Sequence, residues 1–311
     1  MEFFRKQTSY PFMATRRGWY IVSAILILGS IVAIGARGLN FGIDFTGGVV
    51  LELNFPQAAN LEKVRGSLEA GGFGGAAVQS FGTPRDVLVR LLPQEGVDTN
   101  VLGRNVLAVI EADNPGVQLR RTEVVGGQVG AELAEKGALA VLFTFVLILI
   151  YVALRFQWKL GVGAILAALH DPIVILGFFA ITQMTFDLPA LAAILAVIGY
   201  SLNDTVVVFD RIRERFLSMR KGTAEQVMDT AINETLSRTV MTSLTTMITV
   251  LALLFFGGEI LRGFSTALTI GIVVGTYSSI YIASALALDL KLTARDLLPV
   301  QKEQDAVDEM P

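Results

Sequence analysis

Long apolar runs alternate with short polar stretches along most of this chain, and one larger polar block interrupts them near the N-terminus. Six runs, at residues 18–36, 137–154, 160–181, 190–209, 239–256 and 264–288, approach or exceed the roughly 20 apolar residues that a helix needs to cross a bilayer. The first follows a basic tail, residues 1–17, with Arg5, Lys6, Arg16 and Arg17. Ala33-Ile34-Gly35 has the small-x-small character of a signal-peptide cleavage site. The apolar core is longer than the about 7–15 residues of such a peptide, so the run reads as an uncleaved anchor.

The polar block, residues 37–136, has its own periodicities. Val49 to Phe55 alternates like a strand. Leu61 to Ala70 reads as an amphipathic helix ended by Gly71-Gly72. Ala76 to Phe81 and Val87 to Leu92 suit two strands joined by a turn containing Thr83-Pro84. Val97 to Ala112 predicts a second helix and Gln118 to Val125 a last strand. That order, β-α-β-β-α-β, is the split, ferredoxin-like pattern of an α+β domain.

Composition agrees with a membrane protein. The 311 residues are 53% hydrophobic and 17% charged, against about 45–50% and 25% for a soluble domain. With no cysteine and one histidine, disulfides, thiolate metal sites and histidine clusters are excluded. The net charge of -3 offers no basic face for nucleic acid. Charge position sets the topology. Arg155 and Lys159 occupy one short connection, Arg211, Arg213, Arg215, Arg220 and Lys221 another, and Lys291 and Arg295 follow the last span. The opposite connections hold no positive residue between Gln183 and Pro189 and only Arg262 between Gly257 and Gly263. Both termini are therefore expected in the cytoplasm and block 37–136 on the outer face. Residues 210–237 form the long cytoplasmic connection, and 289–311 read as a loose tail.

Candidate chemistry lies in the spans. Asp204 sits in the fourth beside Asn203, one helical turn from Tyr200 and Ser201. A carboxylate at the centre of a membrane helix costs about 2.5–3.5 kcal/mol even on the mildest scale. Either it is part of a polar knot between helices or it carries protons. Arg238 opens the fifth span and is the expected partner, followed along one face by Thr242, Thr245, Thr246 and Thr249; interfacial snorkelling is the alternative role. His170-Asp171-Pro172 lies mid-way along the third span, where the polar pair either relays protons or satisfies the backbone that proline frees. Gly271-x-x-x-Gly275 is a small-residue packing face. Glu259 and Asp187, at outer helix ends, could gather protons or be ordinary loop residues. Gly42 to Gly48 lacks the lysine of a phosphate loop and reads as a tight turn. No nucleophile–base set, nucleotide site or metal site is visible, so an enzyme is not expected, no cofactor is implied, and energy would come from an ion gradient.

These residues resemble the SecD/SecF family of bacterial protein-export membrane subunits. The resemblance rests on Gly42-Ile43-Asp44-Phe45-Thr46-Gly47-Gly48, His170-Asp171, Tyr200 to Arg213, Phe256-Gly257-Gly258-Glu259, Arg262-Gly263-Phe264 and Gly271 to Ser279. It implies an RND-type fold of six transmembrane helices with a periplasmic ferredoxin-like domain between the first two. It also implies pairing with SecD, association with the SecYEG channel and YajC, and use of the proton motive force to draw unfolded exported chains outward after the SecA motor. The family's proton-path acid and arginine match Asp204 and Arg238. Drug-efflux relatives carry two neighbouring aspartates where this chain has Asn203-Asp204, which implies a second acid from SecD. Two rival roles are a passive assembly subunit of the channel and a small-molecule efflux transporter.

Overall fold

The apolar runs become six long helices, and the polar block becomes a small sheet domain standing beyond them. The structure is a computed structural model and describes residues 8–94, 97, 99–219 and 221–298; the outer parts of both expected tails, 1–7 and 299–311, lie outside the described residues. In chain order the elements are α1 (Arg16–Arg37), β1 (Asn40–Phe41), α2 (Ile43–Thr46), β2 (Gly48–Asn54), α3 (Leu61–Ala70), β3 (Ala77–Phe81), β4 (Thr83–Leu91), α4 (Thr99–Asp113), β5 (Gln118–Val125), α5 (Gly127–Arg155), α6 (Trp158–Thr182), β6 (Thr185–Phe186), α7 (Leu188–Ser218) and α8 (Ala224–Phe256). The sixth span, Arg262–Asp289, is α9 (Arg262–Ser278), a π-helical turn at Ser279–Ala283 and α10 (Ser284–Asp289).

In the outer domain the strands run β3-β4-β2-β5, every neighbouring pair antiparallel. This is the ferredoxin-like arrangement. Strands β2 and β4 turn Val49, Leu51, Leu53, Val87 and Val89 inward against Val64 and Leu68 of α3 and Leu102, Val106 and Ile110 of α4. Asn60 caps α3 by accepting from the Lys63 N–H at 3.1 Å, which satisfies one of the four orphan donors of a helix start. The β3–β4 turn is made by Gly82, whose φ of +72° suits glycine. Thr83 and Pro84 begin β4 instead of lying in the turn, a position where a missing N–H is tolerated.

Among the spans, α6 and the sixth span are the most buried and α1, α5 and α8 the least. Small residues set the closest crossings. A β-carbon on Gly271 would lie 2.2 Å from Val197 of α7, and one on Gly177 of α6 would lie 2.0 Å from the Ser30 hydroxyl of α1.

Two boundaries differ from expectation. The second span begins at Gly127, ten residues before its apolar run, because Glu132 and Lys136 form an i,i+4 ion pair of 2.6 Å in a helical stretch outside the apolar zone. The 210–237 connection is mostly helix: α7 continues to Ser218 and α8 starts at Ala224 behind a Thr223/Gln226 capping box. Glu234 ties the two extensions together by accepting from Arg211 at 2.6 Å and Arg215 at 2.6 Å.

The Gly42–Gly48 segment is more than a turn. It forms α2, after which Gly47 (φ +68°) and Gly48 (φ +126°) lead into β2. A β-carbon on Gly47 would stand 2.7 Å from Gly127 Cα, and one on Gly130 would stand 2.5 Å from Gly47 N. The chain entering the outer domain and the chain leaving it thus cross backbone to backbone.

Candidate functional site

The membrane core holds two polar centres that meet at α7. The first is closed. His170 and Asp171 on α6 are 2% and 0% exposed, and His170 Nδ1 lies 2.9 Å from Asp171 Oδ1. Tyr277 OH lies 2.7 Å from His170 Nε2, and Ser23 of α1 stands 3.3 Å from the same phenol. Asp171 Oδ2 accepts from Ser201 of α7 at 2.5 Å and from Ser278 of α9 at 3.1 Å. Four helices therefore converge on one imidazole–carboxylate pair.

One assignment of hydrogens satisfies every member. Ser23 donates to Tyr277, Tyr277 donates to Nε2 of His170, Nδ1–H donates to Asp171, and both serines donate to Oδ2. Buried polar groups are expected to be paired in this way. Gly275 admits the network: a β-carbon there would lie 3.0 Å from Ser201 Cβ and 3.4 Å from Asp171 Oδ2.

The second centre is open. Asp204 is 3% exposed, yet among the described residues its Oδ2 is buried without a hydrogen-bond partner, as is Thr239 Oγ1 on the facing helix α8. Arg238 acts on Asp204 through space, but no ion pair within 4.0 Å joins them among the described residues. Arg238 and Asn203 are both exposed on their helices. The expected contact pair is thus a separated pair in this chain. The reason is directional: Arg238 stands at an uncovered surface of α8, whereas Asp204 is turned inward on α7.

The threonine stripe turns its hydroxyl hydrogens back onto its own helix. The hydroxyls of Thr242, Thr245, Thr246 and Thr249 each donate to a carbonyl of their own helix, at 2.9–3.3 Å, such as Thr242 to Thr239 O at 2.9 Å and Thr249 to Thr245 O at 3.3 Å. Such back-bonding is what threonine does in a helix when no outside partner is offered. Tyr200, expected beside Asp204, donates instead to Ser243 of α8 at 3.3 Å, and Ser243 pairs with Thr276 of α9 at 2.8 Å. Ser201, the other expected neighbour, gives its hydrogen to Asp171.

Sequence reasoning did not single out Ser23, Tyr277 and Ser278. The signal was present as three consecutive hydroxyls, Tyr277-Ser278-Ser279, inside an apolar span. At the outer end, Asp187 caps α7 by accepting from Ala190 N at 2.8 Å, and Asp44 of α2 accepts from Leu188 N at 2.9 Å. Burial raises the Asp187 carboxyl above its ordinary range, helped by the Asp44 charge and opposed by the bond from Ala190. The Glu259 side chain, the other outer candidate, lies outside what the structure describes.

A six-span RND-type helical membrane protein with a ferredoxin-like domain inserted after its first span, and with ionisable groups buried at mid-membrane, is what these elements define. Comparison with known proteins places it further. Residues 106–293 match the family described as protein export membrane protein SecD/SecF, C-terminal, and residues 32–59 match the SecD/SecF GG motif. The protein translocase subunit SecF of Vibrio alginolyticus is 48% identical over 310 residues, covering 99% of this chain and 98% of that one. That of Pseudomonas aeruginosa is 48% identical over 303 residues, covering 96% and 97%. That of Escherichia coli O157:H7 is 42% identical over 302 residues, covering 96% and 94%. The crystal structure of SecDF from Thermus, titled a translocon-associated membrane protein, superposes with a TM-score of 0.83 at 39% identity, covering 93% of this chain. The present chain spans only 39% of that longer chain. The chain belongs to the SecF family of protein translocase subunits.

Proposed function

We propose that this chain, paired with a SecD-like subunit in the bacterial cytoplasmic membrane, uses the proton motive force to promote movement of preproteins through the translocon. Protons are the coupling ion, and no other cofactor takes part. The observation that carries this reading is Asp204, whose buried Oδ2 has no hydrogen-bond partner among the described residues. An acid in that state needs a proton or a group from another chain. The exposed Arg238 and Asn203 mark the helices on which a second subunit would complete the path. The Thermus protein, in which a SecF-like part covers only 39% of a longer chain, supplies a precedent for SecD and SecF acting as one unit. By the distribution of basic residues, both termini are cytoplasmic and the ferredoxin-like domain is periplasmic, where it meets the unfolded exported chain. SecYEG and YajC are the wider assembly.

An efflux role is less well supported. A cavity in the outer domain, lined by Glu52, Leu53, Phe81, Gly82, Asp86 and Arg120, measures about 120 Å³, below the roughly 300–1,000 Å³ of small-molecule sites. The test is gradient-dependent export of a precursor into vesicles containing the SecD-like partner. Asp204→Asn and Arg238→Ala abolish the part of export that an uncoupler removes. Undiminished gradient-dependent export in Asp204→Asn refutes the reading.

A further inference from the structure

The start of α7 is completed by another part of the chain. A helix start leaves its first N–H groups without partners inside the helix. On α7 the Leu188 N–H donates to Asp44 Oδ2 at 2.9 Å, Pro189 has no N–H, and the Ala190 N–H donates to Asp187 Oδ1 at 2.8 Å. Asp187 is the ordinary cap, directly before its helix. Asp44 instead comes from α2, 144 positions away in sequence. Parallel pairing reinforces the join, with Asn40 beside Thr185 and Phe41 beside Phe186, and the Gly42 N–H donates to Phe186 O at 2.8 Å. The same segment is fixed to the outer domain. Arg90 in β4 donates to Phe41 O at 2.8 Å and to Asn40 Oδ1 at 2.6 Å, and α2 runs into β2 through Gly47 and Gly48. Helix α8, by contrast, has one buried residue beyond Thr239, Val250. Of the two helices that carry Asp204 and Arg238, one is bonded to the outer domain at its outer end and the other is lightly packed there.

We propose that the ferredoxin-like domain and α7 move as one body, with Asp44 as the positioning residue that joins them, so that a displacement of α7 against α8 becomes a tilt of the outer domain. The inference rests on the proton-path reading of Asp204 given above and supplies the part that carries movement outward. At about 1.5 Å per residue, Leu188 lies roughly 24 Å outward of Asp204 along one continuous helix. Sliding α7 away from α2 strands the Leu188 N–H and breaks the β1–β6 pairing. The fold therefore opposes slip at this joint, and the lightly packed contact with α8 is the one that gives. Asp44, Asp187 and Glu123 are the acids whose charges meet at the joint, which makes Asp204→Asn the necessary control for any change seen with pH.

The experiment uses the chain co-reconstituted in lipid vesicles with a cysteine-free SecD-like partner. The chain has no cysteine of its own. Glu111→Cys on α4 and Phe256→Cys at the outer end of α8, both exposed, carry spin labels whose separation reports the outer domain against α8. Between alkaline and acid buffer the separation is expected to shift by about 1–2 Å or more, the size of helix shifts in switching proteins, and Asp204→Asn abolishes the shift. Asp44→Leu, which cannot accept from Leu188, is expected to lose the shift and gradient-dependent export while proton uptake continues. Asp44→Asn, which keeps an acceptor oxygen, restores both. A shift that survives Asp44→Leu or Asp204→Asn overturns the inference, as does an unmodified chain with no shift, or loss of uptake together with the shift. Undiminished gradient-dependent export in Asp204→Asn overturns instead the proton-path reading beneath it. If Asp44→Leu does not assemble, the double variant Asn40→Cys with Thr185→Cys decides. Joined by a short bis-thiol reagent, it exports as well as its reduced form if the two segments move together. Export blocked by the link and recovered on reduction shows that the joint must open, and overturns the inference.

Discussion

Asp171 and Asp204 are both almost fully buried and are treated in opposite ways. Asp171 has hydrogen-bond partners on α6, α7 and α9, so its hydrogen bonds are completed inside the chain. Among the described residues Asp204 has a buried oxygen with no hydrogen-bond partner, and the charge that acts on it belongs to an exposed arginine that forms no ion pair with it. Burial by itself therefore says little about role. What separates a structural acid from a working one is whether the fold has completed its hydrogen bonds, because an incomplete set is costly and persists only where something else completes it.

The largest effect expected from that difference is on stability. Asp171→Ala leaves His170 Nδ1 and the Ser201 hydroxyl without their acceptor, and is expected to cost about 3–5 kcal/mol, the usual loss on breaking one side of a buried pair. Replacing the pair together, His170→Phe with Asp171→Leu, costs less than the single change. Asp204→Leu in the isolated chain is neutral or stabilising, since it removes an uncompensated polar group. Unfolding in mild detergent monitored by helical signal compares the three. A larger loss for Asp204→Leu than for Asp171→Ala breaks the contrast between a closed centre and an open one.

A smaller effect comes from two glycines. Gly275→Ala pushes a methyl to within 3.0 Å of Ser201 Cβ and 3.4 Å of Asp171 Oδ2, and overpacking of this kind costs about 1–3 kcal/mol. Gly199→Ala, on α7 with nothing within 4 Å of its would-be methyl, is expected to gain several tenths of a kcal/mol from helix propensity. The same substitution thus has opposite signs at the closed centre and on the uncovered surface. Matching thermal shifts for the two variants refute that assignment.

Much of this could be read from residue order, and the failures have physical causes. Apolar runs locate the helices because a bilayer demands length and hydrophobicity and little else. Strand alternation locates the sheet because Val49, Leu51 and Leu53 must share a face. The early start of α5 was hidden because Glu132, Glu135 and Lys136 make a helix outside the apolar zone look like domain surface. The centre at Asp171 was only half visible. Side chains of adjacent helical residues leave the axis about 100° apart, yet His170 and Asp171 bend toward each other and bond directly. Tyr277 and Ser23, 107 and 147 residues from His170, become its neighbours only through packing of α9 and α1.

The smallest effect concerns an ion pair that water can reach, and it tests whether burial sets the scale. Asp296, beyond the sixth span, accepts from Lys159 Nζ at 2.7 Å and from Thr293 N at 2.8 Å. The Lys159 bond first, and the Thr293 bonds with it, hold the carboxyl down to about 2. A depressed acid stabilises the fold above its unfolded pKa near 4 and loses that contribution as pH falls through the folded value. The advantage is therefore present at pH 7, declines below about pH 4 and is gone near pH 2. With both side chains partly exposed, screening reduces it to about 1 kcal/mol. Asp296→Asn should lower thermal stability by a few degrees at neutral pH and match the unmodified chain near pH 2. If Asp296→Asn instead costs as much as Asp171→Ala, burial is not what makes the Asp171 network consequential.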